Sequence, residues 1–191
     1  SSPVFDIAWH GILALLVLWG LWTVISYVYA HFGLADLATV LLGGLATLLR
    51  VVVLVGMASL VWVPIGVWIG LRPGLADRIQ PLAQFLAAFP ANVMFPVFVM
   101  VVVAFRLEPN VWLSPLMILG AQWYILFNVI AGASAIPRDF RDVAAGFQVR
   151  GLQWWRRIAL PAVFPYYITG AITASGGSWN ASIVAEIANW G

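Results

Sequence analysis

Apolar and polar positions alternate along this chain in blocks. Long apolar runs cover residues 5–29, 39–71, 84–105, 112–135 and 162–178, separated by short polar stretches. A helix needs about 20 apolar residues to cross a bilayer, so each run predicts a transmembrane helix. The run over 39–71 is too long for one crossing, because 33 residues span roughly 50 Å against a hydrocarbon core of about 30 Å. The crossing is therefore placed at 50–71, with the preceding part at or beyond the outer interface. Trp9, Trp22, Tyr27 and Tyr29 lie toward the ends of the first run as interfacial anchors. Two prolines, Pro90 and Pro96, interrupt the third. A proline frees backbone carbonyls that a membrane tolerates only against protein or water, which predicts a helix inside the bundle and makes both prolines candidates for a path or gate.

Polarity concentrates in two loops. One holds Arg72, Asp77 and Arg78; the other, over 137–161, holds Arg138, Arg141, Arg150, Arg156 and Arg157. Apolar runs flank both, and an inside start puts both on the cytoplasmic face with seven of the nine arginines, leaving Arg50 and Arg106 outside. In the longer loop, Asp139 and Asp142 precede Arg156 and Arg157, the order that suits a helix dipole. A short helix from about Asp139, turned near Gly151, is expected there. Ala144, Ala145 and Gly146 leave room for a partner surface to approach its backbone.

Composition agrees with membrane embedding: 63% of residues are hydrophobic and 8% charged, with a mean hydropathy of +1.00. A soluble domain carries about a quarter charged residues. The net charge of +2 argues against a nucleic-acid surface. The chain lacks cysteine and lysine, which excludes a disulfide framework, a P-loop and a Schiff-base lysine. If ATP drives this protein, another subunit must bind it. His10 and His31 lie roughly 30 Å apart on one helix and cannot share a metal. No HExxH, GxSxG or paired-Asp arrangement occurs on the predicted helices, so no catalytic, cofactor or metal residue is assigned.

Other polar groups fall inside apolar sequence. Gln122 and Asn128 are about 120° apart around a helix, which favours separate interhelical hydrogen bonds over one ligand site. Gly66 and Gly70 form a GxxxG-like face for close packing. Asn180 and Glu186 follow a Ser-Gly-Gly-Ser stretch at the end of the last run. Both are candidates for a path or gate, and for Glu186, a carboxylate near membrane depth, the alternative is a helix cap or an inter-subunit pair.

The loop over 137–161 resembles the EAA loop of ABC-importer permeases. That pattern is Glu-Ala-Ala, a Gly six positions after the Glu, then Ile-x-Leu-Pro. Here Asp142-Val143-Ala144, Gln148 and Ile158-Ala159-Leu160-Pro161 keep the spacing, with Asp142 for Glu, Val143 for Ala and Gln148 for Gly. The sequence over 165–187 is similar to the nitrate, sulfonate and taurine branch, in particular permeases made as two fused halves. The resemblance covers roughly Gly44 to the end and is specific from Arg138 to Glu186. It implies an all-α, polytopic inner-membrane bundle of the type I importer kind, one permease domain over 1–191 that lacks its last helix or helices. It also implies an ATPase-coupling loop made of Asp142, Val143, Ala144, Ala145, Gly146, Gln148 and Gly151. The expected partners are ATP-binding cassette ATPase subunits, a periplasmic or extracellular solute-binding protein, a second permease unit as dimer or fused half, and membrane lipid. The implied activity is passage of a small solute such as nitrate, a sulfonate or taurine, driven by the separate ATPase. The alternative is a structural membrane subunit that does not transport.

Overall fold

The computed structural model describes the backbone of residues 3–112 and 114–187, and within it the side chains of all but residues 3, 4, 92, 109, 110 and 185–187. Among the described residues every regular element is helical. The chain divides into two compact units, Ser1–Ala46 and Thr47–Gly191.

The first unit contains α1, Pro3–His31. Its apolar side chains stand exposed all around the helix, as on a helix that has lipid for its surroundings. Its two histidines are occupied locally: Nδ1 of His10 donates to the Asp6 carbonyl at 2.6 Å, and Nδ1 of His31 donates to the Tyr27 carbonyl at 2.9 Å. The next helix, α2, spans Leu34–Gly70. Its start is fixed by the Asp36 carboxylate, which reaches back to accept the Gly33 N–H at 2.9 Å, one half of a capping box.

The second unit is built around α7, Gln122–Ser134, whose Ile125, Val129 and Ile130 are fully buried. Around it lie the end of α2, α3 (Pro73–Ala88), α6 (Ser114–Leu119) and the long α10 (Leu160–Ile187). Short α4 (Phe95–Ala104) and α5 (Pro109–Trp112) sit between α3 and α6. The packing is close because small residues stand at the crossings. A Cβ on Gly66 would come 2.8 Å from Val129, one on Gly70 2.5 Å from the Ile130 carbonyl, and one on Gly170 2.6 Å from the Tyr124 carbonyl. The expected GxxxG face of α2 is thus the face set on α7. Gln122 bridges helices as expected, accepting from Trp62 Nε1 at 2.9 Å. Asn128 does not: its amide donates to the Tyr124 carbonyl of its own helix.

Among the described residues four helices are long and apolar enough to cross a membrane: Phe5–His31, Leu34–Gly70, Ser114–Ser134 and Gly151–Val184. The expected third crossing, 84–105, is broken. Phe89 is extended before Pro90, a 3₁₀ turn follows over Ala91–Met94, and α4 is only ten residues long. The cause is Pro90, which lacks a donor and disfavours the helical conformation in the residue before it. Within this chain α4 buries only Val102. The last crossing begins earlier than 162, because helical backbone runs through α9 (Gly151–Trp154) and a π turn over Trp155–Ala159 into α10. A regular turn there would drive the Pro161 ring into the Arg157 carbonyl, and the wider π turn relieves that clash.

Candidate functional site: a helical loop docked on the end of α2

The loop after α7 folds into α8, Arg138–Gly146. Pro137, with φ −58° and ψ 145°, separates it from α7, and Asp139 in its first turn complements the helix dipole. The helix ends in a Schellman motif. The Gln148 N–H bonds the Ala145 carbonyl at 3.0 Å and the Val149 N–H bonds the Ala144 carbonyl at 2.9 Å. Such an ending puts the residue after the cap in the left-handed region, which glycine enters most readily. Gln148 takes that place with φ +54°, and Gly151 turns the chain again with φ +57°. The glutamine that stands for the motif's glycine therefore has the conformation a glycine would have. Arg106 ends α4 in the same way, with φ 50°.

The loop also completes α2. A helix end leaves carbonyls without intrahelical partners, and buried ones need donors from elsewhere. Here the Val67 and Ile69 carbonyls accept the backbone N–H groups of Leu71 and Arg72. The Trp68 carbonyl accepts the Arg72 guanidinium at 2.6 Å, and that group also lies 4.3 Å over the Trp68 ring. The next two donors come from far along the chain. Ser134 Oγ donates to the Gly70 carbonyl at 3.0 Å and Arg141 Nη1 to the Leu71 carbonyl at 3.2 Å. The guanidinium thus sits where the α2 dipole is negative. Both arginine-rich loops consequently meet at one end of the bundle, as a shared cytoplasmic face requires.

Two faces of α8 differ in kind. Ala144 is buried and Arg141 half-buried on the inner face. Asp142, Ala145, Gly146 and Gln148 are exposed, and nothing stands within 4 Å of a Cβ built on Gly146. Phe140, Val143 and Phe147 are also exposed, by 65, 57 and 80%. They recur at three- and four-residue spacing, so they form one apolar stripe on an otherwise polar helix. The stripe is legible in the spacing of the sequence itself, beside the small residues Ala144, Ala145 and Gly146.

The remaining candidates fall into two places. Asn180 lines a cavity of about 170 Å³ together with Phe89, Ala91, Gly120, Tyr124 and Gly177. The break at Pro90 puts Phe89 and Ala91 there, so Pro90 shapes this cavity while Pro96, in the first turn of α4, does not line it. The Glu186 side chain lies outside the described residues. No group of three or more His, Cys, Asp or Glu able to hold a metal occurs among the described residues.

Residues 62–191 match the family of binding-protein-dependent transport system inner membrane components. The chain belongs to this family. The match takes in the end of α2, the loop with α8, and α10. It is 32% identical over 143 residues to a bicarbonate transport system permease protein of Synechococcus elongatus, covering 75% of this chain and 50% of that protein. It is 31% identical over 146 residues to a nitrate import permease protein of Leptolyngbya laminosa, covering 76% and 51%. A nitrate import permease protein of Synechocystis is 30% identical over 142 residues, covering 74% and 50%. The chain spans about half the length of these curated relatives. Family and relatives are transport permeases rather than enzymes, and the chain is an all-α, multi-pass inner-membrane component of that kind.

Proposed function

We propose that this chain supplies the membrane-crossing and coupling part of an ABC-importer permease for a small anion such as nitrate or bicarbonate. A separate ATPase subunit drives it, a solute-binding protein delivers the solute, and a second permease unit completes the path. The names of the relatives support the solute class. The observation that carries the reading is α8 itself: a short helix with an exposed apolar stripe, bonded on its inner side to the end of a membrane-length helix. A surface of that form suits a groove on a partner, and its attachment passes a push on α8 to α2. Gln148, which stands where the motif has glycine, takes the left-handed turn a glycine would take, and this supports a coupling loop over a structural subunit that does not transport.

The test is co-purification of the ATPase with the full-length permease carrying Ala145→Trp, alongside solute uptake at matched expression. Ala145 is exposed beside the stripe, so the variant folds but overfills a packed contact. Loss of both ATPase binding and uptake is expected. Undiminished binding and uptake would show that α8 is not the coupling surface.

A further inference from the structure

We propose that the groove between the α7–α8 junction and the first turns of α10 binds an anionic phospholipid, with its headgroup on Arg157 and an acyl chain along the groove. The cavity has a volume of about 490 Å³ and runs from Arg157 to Tyr166, roughly 13 Å along the helix. The buried Gly132 and Ile136 line one side, and Ile158 of the π turn with Pro161 and Ala162 of α10 line the other. Arg157 is the one charged group that lines it. Among the described residues no carboxylate pairs with that guanidinium, nor with its neighbour Arg156. One cation at the mouth of an apolar trough matches an amphiphile. A small soluble anion would meet a single guanidinium and almost no other donor, while its hydration was being stripped by aliphatic walls.

Depth in the membrane agrees with this. Trp154 and Trp155 pack edge to face at 5.7 Å immediately before Arg156 and Arg157, and such residues settle at the headgroup level. Basic pockets between helices on the cytoplasmic side are where acidic headgroups bind, because the inner leaflet carries the negative lipid. The groove shares one residue, Phe140, with the α8 stripe, but its headgroup contact and α10 side do not: they require only that the α7–α10 pair is embedded with the arginine-rich end at the interface.

The experiment is native mass spectrometry of the full-length permease in its assembly, released from detergent after exchange with phosphatidylglycerol or phosphatidylcholine. Wild type is expected to retain phosphatidylglycerol, Arg157→Gln to retain about fivefold less, and Arg106→Gln, outside the groove, to match wild type. Ala162→Trp, which fills the trough and leaves Arg157 in place, should lose the lipid as well. Equal retention by Arg157→Gln and wild type, or equal retention of the two lipids by wild type, overturns the proposal. Displacement of the lipid by inorganic phosphate would mark a soluble-anion site and also overturns it. Loss of ATPase binding in the Ala145→Trp variant with lipid retention intact would keep the two proposals apart.

Discussion

Replacing Gly70 by alanine tests whether α2 and α7 are held in backbone contact. The new Cβ would lie 2.5 Å from the Ile130 carbonyl oxygen and 2.7 Å from Ala133 Cβ, where ordinary contact begins at 3.4 Å. The nearest atom belongs to the backbone, so no side-chain rotation can relieve the clash. The helices must separate by close to 1 Å, which also stretches the 3.0 Å bond from Ser134 to the Gly70 carbonyl. Overfilled packing of this kind costs about 1–3 kcal/mol. Gly56 is the internal control: it lies in the same helix with nothing within 4 Å of its built Cβ. There alanine should gain about 0.5–1 kcal/mol from backbone entropy alone. Gly66 falls between, since its nearest neighbour is the Val129 side chain at 2.8 Å, which has some freedom to move. Thermal unfolding in detergent followed by tryptophan fluorescence reads the difference. At roughly 2–4 °C per kcal/mol for a chain of this size, Gly70→Ala should fall by about 2–12 °C while Gly56→Ala rises slightly. If the two variants shift alike, the glycine face is not a packing surface and the helix arrangement around α7 is wrong.

Removing the long-range caps of α2 by Arg141→Ala or Ser134→Ala should cost about 1 kcal/mol each, read as faster amide hydrogen exchange in the last turn of α2; unchanged exchange there would show that α8 does not hold that end. Gln148→Gly should keep or raise stability, whereas Gln148→Val should lower it by about 1–2 kcal/mol because a β-branched residue resists positive φ. A thermal midpoint that is unaffected by valine would refute the left-handed turn. For Trp62 and Gln122, joined at 2.9 Å, a double-mutant cycle with Trp62→Phe and Gln122→Leu should give a coupling of about 0.6 kcal/mol, with roughly 1.7 as the upper end; zero coupling would break that bridge.

Residue type and order alone determined the membrane class, the helical architecture, the polar loop between two crossings and the glycine face of α2. Each of these depends on local quantities: hydropathy over a turn-length window, the spacing of small residues, and the sign of nearby charges. The tertiary structure decided what depends on distant partners. Broken pairing at Pro90 has a sequence signal, but that Phe89 and Ala91 then meet Asn180 at one cavity follows only from how α3 and α10 pack on α6 and α7. Ala144 and Ala145 are identical in type and adjacent, and only the docking of α8 makes one buried and the other open. Arg141 resembles the other arginines of its loop until the free Leu71 carbonyl at the end of α2 selects it. Arg157 likewise becomes distinctive only when α7 and α10 enclose a trough beside it. A one-dimensional pattern records how polar each residue is. Which unsatisfied carbonyl or apolar wall it meets is set by contacts between segments dozens of residues apart.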